Sequence, residues 1–495
     1  MIRIAVGALV VAQALLAQTP GDEPVVVRHH QVTIDGRTLA YTTRAGRIPI
    51  RDNEAGDVHG QMFFVSYTLD RTDSAAPRPI TFAWNGGPGS NAALVHLVGF
   101  GPKRVAPPAD ARADDARWIV QINPGTWLSF TDLVFVDPIG TGYSRVTKPE
   151  YMPEFYQTRG DAESVAEFIR VYRLRYGASD APIFLAGESF GVMRAAHVAD
   201  VLEQKGTTVR GVVLMGLEPP LGKLPDSFRV ALAVPNYTIA AHVHGKLAPE
   251  LERDFHATLR QVESWSSNEY ARALGRARTL SPSGRDSVAG ALARFTGISD
   301  AVIDRKTLVL PYIQIGSQLL RRERKFVGLY DVRKTAPLDT TPGPYDPRKD
   351  PSLTRLLDPV AVLRYMREEL GYVDDLNYQG PWGGSYPPPK QFRGDWMSVR
   401  WDWKADSVFA NAPPPLERAM TTNPSLRVLV ACGTFDLICD YYANEWKIAH
   451  LPDELRRRVE VKAYDGGHAL YTDDAARLAL KRDVEQLAHD AIGRP

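Results

Sequence analysis

Cysteine is scarce in this chain, and charge of either sign is not in excess. The 495 residues include only 2 cysteines, which excludes a disulfide-rich scaffold and an all-cysteine zinc site. Basic residues number 59 and acidic residues 58, so the formal net charge is +1. This balance argues against a broad nucleic-acid-binding surface, and we expect no nucleic-acid partner. No repeat with a period of about 20–50 residues is visible, which leaves a large globular protein.

The first residues have the pattern of an export signal. Arg3 provides a short basic start, and Ile4–Leu16 is apolar apart from Gln13. This run is too short to span a membrane and suits the apolar core of a signal peptide. We therefore expect residues 1–17 to be removed, giving a secreted or periplasmic protein with no stable membrane association after cleavage. A buried N-terminal helix is the alternative.

Short apolar runs alternate with helical patterns and predict the fold class. The runs are rich in β-branched residues and are bounded by Gly, Pro or charged residues, which is typical of buried parallel strands. They are Ile80–Trp84, Leu133–Val136, Ile183–Ala186, Gly211–Met215, Arg427–Ala431 and Val459–Ala463. With helical patterns such as Ala162–Tyr176 and Met193–Gln204 between them, they predict an α/β fold with a mostly parallel, doubly wound sheet. Nearer the N-terminus, Val25–Thr33 and Gln61–Leu69 predict an antiparallel hairpin.

The alternation stops after Glu218 and resumes at Leu426. The intervening chain is first helical in pattern, over Pro249–Leu320, and then rich in Pro, Trp and Tyr. A sheet that is interrupted and later completed predicts an insertion into one domain; a linker-joined extra domain is the alternative. We therefore divide the chain into a signal peptide (1–17), the first part of a core (18–220), an inserted and largely helical cap region (221–424), and the second part of the core (425–495).

A G-x-S-x-G motif, Gly187–Gly191, lies between a predicted strand and a predicted helix. Its glycines allow a sharp turn that would expose the hydroxyl of Ser189 above the sheet. The start of the following helix would also place backbone N–H groups close to developing negative charge. This context predicts that Ser189 is a nucleophile, with a glycine-rich structural turn as the alternative.

A nucleophilic serine needs a base, and the base needs a carboxylate that orients it. In α/β-hydrolases an acid and then a histidine follow the serine, on loops after later strands. His468 fits the base, because it follows the last predicted strand in Asp465–His468, where two glycines permit a tight loop. Asp436 and Asp440 both follow the preceding strand. Asp436 is nearer the strand end and has apolar neighbours, whereas Asp440 resembles a helix N-cap, so we predict Asp436.

A glycine-rich loop, Asn85–Ser90, follows the predicted strand that ends at Trp84. Hydrolases often take one oxyanion donor from such a loop and another from the residue after the nucleophile. We therefore predict that the N–H groups of Gly87 and Phe190 form the oxyanion hole. A phosphate-binding loop is the alternative, but the chain has neither a Walker lysine nor a G-x-G-x-x-G pattern.

Five ordered segments resemble the serine carboxypeptidase family, and the chain looks like a bacterial secreted member. They are Trp84–Ser90, Asn123–Ser144, Gly187–Gly191, Val428–Asn444 and Gly467–His468. The resemblance implies an α/β-hydrolase fold with the catalytic triad Ser189, Asp436 and His468, and no metal or organic cofactor. It implies a serine-type carboxypeptidase that hydrolyses the C-terminal bond of a peptide through an acyl-enzyme on Ser189. It also implies that Asn85 and Glu188 bind the C-terminal carboxylate of the substrate.

The chain departs from the family pattern at several positions. Val192 and Phe190 replace a usual glycine and tyrosine, and Thr434 replaces the first acid of a G-D-x-D segment. Family members often carry a second acid just before the Gly-Pro that follows the first block, whereas Val98–Pro102 contains none. A carboxylate-binding glutamate must be protonated, so this difference weakens the expectation of an acidic pH optimum.

Two questions stay open on the sequence alone. The first is whether Cys432 and Cys439 pair, since Cys439 falls where some family members carry a free cysteine. The second is the reaction. An esterase, acyltransferase or aminopeptidase on the same fold, or a non-catalytic secreted binding protein, would share many of these residues.

Overall fold

A computed structural model describes residues 23–71, 77–107, 118–339, 345–354, 356–380, 401–405 and 412–493. The predicted signal peptide at residues 1–17 lies outside these ranges, as does much of the Pro-, Trp- and Tyr-rich part of the cap region. Within the described ranges, no helix has both the length and the apolar character needed to cross a membrane.

A ten-stranded mixed sheet lies at the centre of the molecule. In chain order, the strands among the described residues are β1 (Val26–Ile34), β2 (Arg37–Arg51), β3 (Val58–Leu69), β4 (Ile80–Trp84), β5 (Lys103–Ala106), β6 (Ile119–Ile122), β7 (Asp132–Val136), β8 (Arg145–Val146), β9 (Ile183–Glu188), β10 (Val209–Met215), β11 (Lys325–Val327), β12 (Thr335–Pro337), β13 (Arg427–Gly433) and β14 (Val459–Tyr464). The spatial order of the main sheet is β1-β2-β3-β7-β4-β9-β10-β13-β14, and β8 pairs with β3. The pairs β5–β6 and β11–β12 form small separate sheets.

The strands from β7 to β14 along the main sheet pair in parallel. Every parallel strand predicted from the sequence is present among them, but β14 lies at the sheet edge and only its last residue, Tyr464, is buried. Neighbouring residues of each strand face opposite sides, so Phe82 and Val212 pack into one apolar cluster, and Ala83 and Val213 pack into a second. The prediction of a mostly parallel, doubly wound α/β sheet is confirmed.

The two strands predicted at Val25–Thr33 and Gln61–Leu69 are present as β1 and β3, but the prediction that they pair as a hairpin is wrong. Strand β2 lies between β1 and β3 and pairs antiparallel with both. Its sequence contains arginines, a glycine and a proline, so it does not resemble a buried strand. The structure buries the guanidinium of Arg47 by pairing it with the carboxylates of Glu23 and Asp374, which offsets the cost of placing a charge there.

Helices cover both faces of the sheet, and within the described residues they also make up much of the predicted cap region. In chain order they are α1 (Met152–Phe155), α2 (Thr158–Arg175), α3 (Gly191–Gln204), α4 (Asp226–Ala231), α5 (Val234–Val243), α6 (Pro249–Glu252), α7 (Phe255–Trp265), α8 (Ala271–Gly275), α9 (Pro282–Thr296), α10 (Tyr312–Gln318), α11 (Pro359–Glu368), α12 (Pro415–Thr422), α13 (Tyr441–Ala449), α14 (Asp453–Arg456) and α15 (Asp474–Ile492). Helices α2, α3 and α12 pack on one face of the sheet, and α11 and α15 pack on the other.

The parallel neighbours β10 and β13 are far apart in the chain, since β10 ends at Met215 and β13 begins at Arg427. Helices α4 to α10 fall between them in sequence and bury an apolar cluster that includes Tyr237, Leu292 and Phe295. The boundaries of the cap region, at residues 221 and 424, stay a prediction.

Candidate active site

Ser189 occupies a sharp turn between β9 and α3. Its φ angle is +57°, a left-handed conformation that is strained for a residue with a side chain. The turn is fixed on both sides, because the N–H of Ser189 donates to Met215 O at 2.8 Å and its carbonyl accepts from Val192 N at 2.8 Å. A side chain at Gly187 would collide with Gly191 O, so only glycine fits there. The predicted strand–turn–helix context of Ser189 is therefore present.

The predicted acid and base are in direct contact at the ends of β13 and β14. Nδ1–H of His468 donates to Oδ2 of Asp436 at 2.7 Å, and Oδ1 of Asp436 accepts from Ile438 N at 2.8 Å. Asp436 is completely buried. Asp440, the other candidate, precedes α13, and its side chain makes no capping hydrogen bond. The structure thus brings His468 to Asp436 and leaves Asp440 out of this pair.

His468 lies beside the turn that carries Ser189. A Cβ at Gly216, directly after β10, would be 3.3 Å from Cε1 and Nδ1 of the imidazole. Nε2 of His468 is 3.6 Å from Oε1 of Glu188, the residue before the serine. Nε2 has no hydrogen-bond partner within the described part of the chain, so it makes no hydrogen bond to the Ser189 hydroxyl in this state. The nitrogen that would accept the proton of Ser189 therefore makes no hydrogen bond to a described residue and lies next to the turn.

Charge and burial act in opposite directions on the imidazole. Burial alone would lower the pKa of His468, but the charge and hydrogen bond of Asp436, together with the charge of Glu188, raise that pKa to about 9. Burial also raises the pKa of Asp436, while His468 opposes the shift. This pairing stabilises the protonated imidazole, which is the species that forms when histidine takes a proton from serine.

The predicted oxyanion loop packs directly against the turn. A side chain at Gly86 would collide with the backbone nitrogen of Phe190, so the loop approaches as closely as a glycine permits. Gly87 follows with a φ of +106°. Because Gly86 contacts Phe190 N, the two predicted donors, the N–H groups of Gly87 and Phe190, come from adjoining backbone segments.

The predicted carboxylate-binding residues are hydrogen-bonded to each other. Nδ2 of Asn85 donates to Oε2 of Glu188 at 2.8 Å, and Oδ1 of Asn85 accepts from Val95 N at 3.1 Å. Both side chains are buried. Burial raises the pKa of Glu188, against the lowering effects of His468 and Asn85. A raised pKa favours the protonated form that carboxylate binding would need.

An ion pair behind Asn85 was not predicted from the sequence. Nη1 of Arg194 donates to the backbone oxygen of Asn85 at 2.8 Å, and Nε donates to Oδ2 of Asp161 at 2.6 Å. The side chains of Arg194 and Asp161 are only 1% and 4% exposed. The sequence did contain one signal for this ion pair. Arg194 lies within the apolar pattern of α3, and a buried charge requires a partner.

Tyr330, from the predicted cap region, contacts the histidine loop. Its backbone oxygen accepts from the N–H of His468 at 2.6 Å, and its ring lies edge-on to the imidazole at 5.0 Å. The chain around it also holds the acid loop, since Leu437 N donates to Leu329 O at 2.9 Å. No local sequence pattern identifies this contact, because it joins residues more than 100 positions apart.

Comparison with known proteins agrees with this geometry. Residues 40–215 match the family model of serine carboxypeptidases. That region includes Asn85, Glu188 and Ser189, and the match supports the family that the five sequence segments resemble. The match ends at residue 215. Asp436 and His468 lie outside it, on the loops that follow β13 and β14.

The chain is also similar to curated fungal proteins over part of its length. It is 30% identical over 161 residues to pheromone-processing carboxypeptidase KEX1 of Yarrowia lipolytica, which covers 32% of this chain and 24% of that protein. It is 35% identical over 104 residues to pheromone-processing carboxypeptidase KEX1 of Saccharomyces cerevisiae (strain ATCC 204508 / S288c), covering 20% and 13% respectively. The matched region therefore spans a quarter or less of these relatives.

A solved structure resembles the whole described fold. The crystal structure of Kex1(delta)p, a prohormone-processing carboxypeptidase from Saccharomyces cerevisiae, superposes with a TM-score of 0.51 at 15% identity. The comparison covers 91% of this chain and 92% of that chain. The protein has an α/β-hydrolase fold, as predicted.

Proposed function

We propose that the protein is a serine-type carboxypeptidase acting on peptides with a free C-terminus. One observation carries the proposal: Glu188, directly before Ser189, is buried and hydrogen-bonded to Asn85. A buried carboxyl at this position is costly unless it serves a ligand or a partner. A protonated Glu188 carboxyl next to a nucleophile can donate a hydrogen bond to a substrate carboxylate, and the Asn85 amide holds that carboxyl in place.

The reaction follows from the positions of the proposed triad. Ser189 Oγ attacks the carbonyl carbon of the last peptide bond while Nε2 of His468 takes the hydroxyl proton. The N–H groups of Gly87 and Phe190 hold the negative oxygen of the tetrahedral intermediate. His468 then gives its proton to the nitrogen of the leaving amino acid. The same groups activate a water molecule, which hydrolyses the acyl-enzyme, releases the shortened peptide and restores Ser189.

Asp436 keeps the imidazole in the productive tautomer during these steps. Because its carboxylate accepts from Nδ1–H at 2.7 Å, Nε2 is the nitrogen left to accept a proton. Tyr330, whose carbonyl holds the backbone N–H of His468, would link this orientation to the cap region. The cap region would thus cover the site and influence which residue is removed.

Export is part of the proposal. Residues 1–17 would act as a signal peptide, and the mature protein would work in the periplasm or outside the cell. The bacterial assignment stays a prediction, and the two relatives named above are fungal. Edman sequencing of the mature protein, together with fractionation of the producing cells, tests both the cleavage and the compartment.

A comparison of three substrates tests the proposed reaction. One N-blocked dipeptide is presented as the free acid, as the C-terminal amide and as an aryl ester of the same acyl group. Preferential hydrolysis of the free acid supports the proposal, whereas turnover of the ester alone would assign the protein to the esterases. A fluorophosphonate probe should label the wild type and fail to label Ser189→Ala; an unlabelled wild type would favour a non-catalytic binding protein.

A further inference from the structure

Tyr471 belongs to the polar network around Asn85, although no sequence motif marks it. Besides its bond to Glu188, Nδ2 of Asn85 donates to the phenolic oxygen of Tyr471 at 3.2 Å. An asparagine amide has two N–H donors, and here each has an acceptor. The amide oxygen is engaged by Val95 N. Glu188 and Tyr471 together therefore fix the orientation of the Asn85 side chain.

The phenol of Tyr471 is a neutral group with a proton to donate. Tyr471 is 0% exposed, and burial, together with the charge of Glu188, raises its pKa well above the ordinary value for tyrosine. Its oxygen accepts from Asn85, and its own O–H makes no hydrogen bond to any residue that the structure describes. An unused donor of this kind is unusual in a buried position.

The ring is held in place from several sides. It packs edge-on against Phe100 with ring centroids 5.2 Å apart, and the backbone oxygen of Tyr471 accepts from Nη1 of Arg477 at 3.2 Å. A Cβ at Gly99 would be 3.3 Å from Cδ2 of Tyr471, so the ring fills the space in front of position 99. A long side chain at position 99 would have to displace this ring.

We propose that Tyr471 is a positioning residue for the substrate carboxylate, an inference that rests on the proposed function. Its phenol holds the Asn85 amide against Glu188, and no second carboxyl group among the described residues is hydrogen-bonded to Glu188. Within the described part of the chain, the titratable groups that act on Glu188 are His468, Asp436 and Tyr471, with Asn85 as its neutral donor. Deprotonation of Glu188, influenced by the charges of His468 and Asp436, would then set the pH at which free-acid substrates stop binding.

Replacing Tyr471 by phenylalanine should act on one class of substrate. Losing the phenol leaves an Asn85 N–H without its acceptor and loosens the amide, so KM for the free-acid dipeptide should rise about 5- to 10-fold. The pH at which this KM increases should move upward, because a weaker hydrogen bond to the Glu188 carboxylate raises the pKa of Glu188. The kcat/KM for the aryl ester should stay within about two-fold of the wild type.

Steady-state kinetics on the free acid, the amide and the ester, from about pH 4 to 9, provide the test. Tyr270→Phe is the matched control, since it removes another buried phenol, which donates to Leu308 O at 2.6 Å in the cap region. A rise in KM that is specific to the free acid and seen only in Tyr471→Phe, with the expected pH shift, supports the inference.

The failures are distinguishable. If the wild type prefers the free acid and Tyr471→Phe keeps the wild-type KM and pH profile, the role of Tyr471 is overturned and the proposed function stands. If Tyr471→Phe reduces free-acid and ester turnover equally, Tyr471 acts only on the general structure, and the inference is again overturned. If the wild type does not distinguish the free acid from the amide, the proposed function fails and the inference fails with it.

Discussion

Replacement of Arg194 by methionine should destabilise the protein strongly, because it breaks an ion pair that is almost fully buried. Arg194 and Asp161 are 1% and 4% exposed, and Nε of Arg194 lies 2.6 Å from Oδ2 of Asp161. Removing one partner of a buried pair costs about 3–5 kcal/mol, since the other charge is left uncompensated. The carbonyl of Asn85 also loses its donor. We expect the free energy of unfolding to fall by about 4 kcal/mol in total.

Urea unfolding followed by both fluorescence and circular dichroism measures this loss. Asp161→Asn in the Arg194→Met background removes the unpaired charge and should recover about 2 kcal/mol. Arg170→Met in α2 is the control. Arg170 pairs with Glu167, but the arginine side chain is 57% exposed, so losing this pair should lower the free energy of unfolding by less than about 1 kcal/mol. A loss of under about 1 kcal/mol for Arg194→Met, or no recovery in the double variant, would refute this reasoning.

The deficit of Arg194→Met should also depend on pH. In the wild type, burial raises the pKa of Asp161 and Arg194 opposes the shift, so removing Arg194 raises that pKa further. When the pKa of Asp161 is higher in the folded state than in the unfolded state, the folded state binds the proton more tightly. The free energy of unfolding therefore falls as the pH rises from the pKa of the unfolded state toward that of the folded state. The difference between wild type and variant should therefore be smallest at acid pH, where Asp161 is protonated in both, and should grow toward neutral pH.

Two further predictions concern the catalytic groups. Asp436→Asn should lower kcat/KM about 10³- to 10⁴-fold. It should also move the ascending limb of the pH–rate profile for the aryl ester to lower pH, because Asp436 raises the pKa of His468; an unmoved limb would contradict the pairing. Gly86→Ala should lower kcat by about 10²-fold or more, since the added methyl group would collide with Phe190 N. Gly290→Ala, where an added Cβ meets nothing within 4 Å, should keep wild-type kcat, and equal losses in both variants would reject the oxyanion assignment.

The parallel strands and the carboxyl-end loops could be predicted from the sequence because their signals are local. Buried parallel strands are continuous apolar runs, and Ser189, Asp436 and His468 each follow such a run directly. Strand β2 was not predicted, because its arginines look exposed until Glu23 and Asp374 are seen to pair with Arg47. Its burial depends on partners distant in sequence, which a local pattern does not contain.

The supporting residues of the site could not be predicted for the same reason. Arg194 reaches Asn85 across 109 positions, and Tyr471 reaches it across 386. Tyr330 and Tyr471 come from chain segments without a motif, and only the packing of loops over the sheet edge brings them to the imidazole and to Asn85. The sequence showed that Val98–Pro102 lacks the second acid of the family pattern, whereas the structure shows that the Tyr471 ring fills the space in front of Gly99.

The central claim is that Ser189 hydrolyses the C-terminal bond of peptides whose carboxylate is held at Asn85 and Glu188. Time-resolved mass spectrometry on one peptide, supplied as the free acid and as the C-terminal amide, tests it most directly. We predict a ladder of masses that shortens by one residue at a time from the C-terminus of the free acid, much slower release from the amide, and no ladder with Ser189→Ala. Shortening from the N-terminus, internal cleavage, or equal rates on the acid and the amide would contradict the claim.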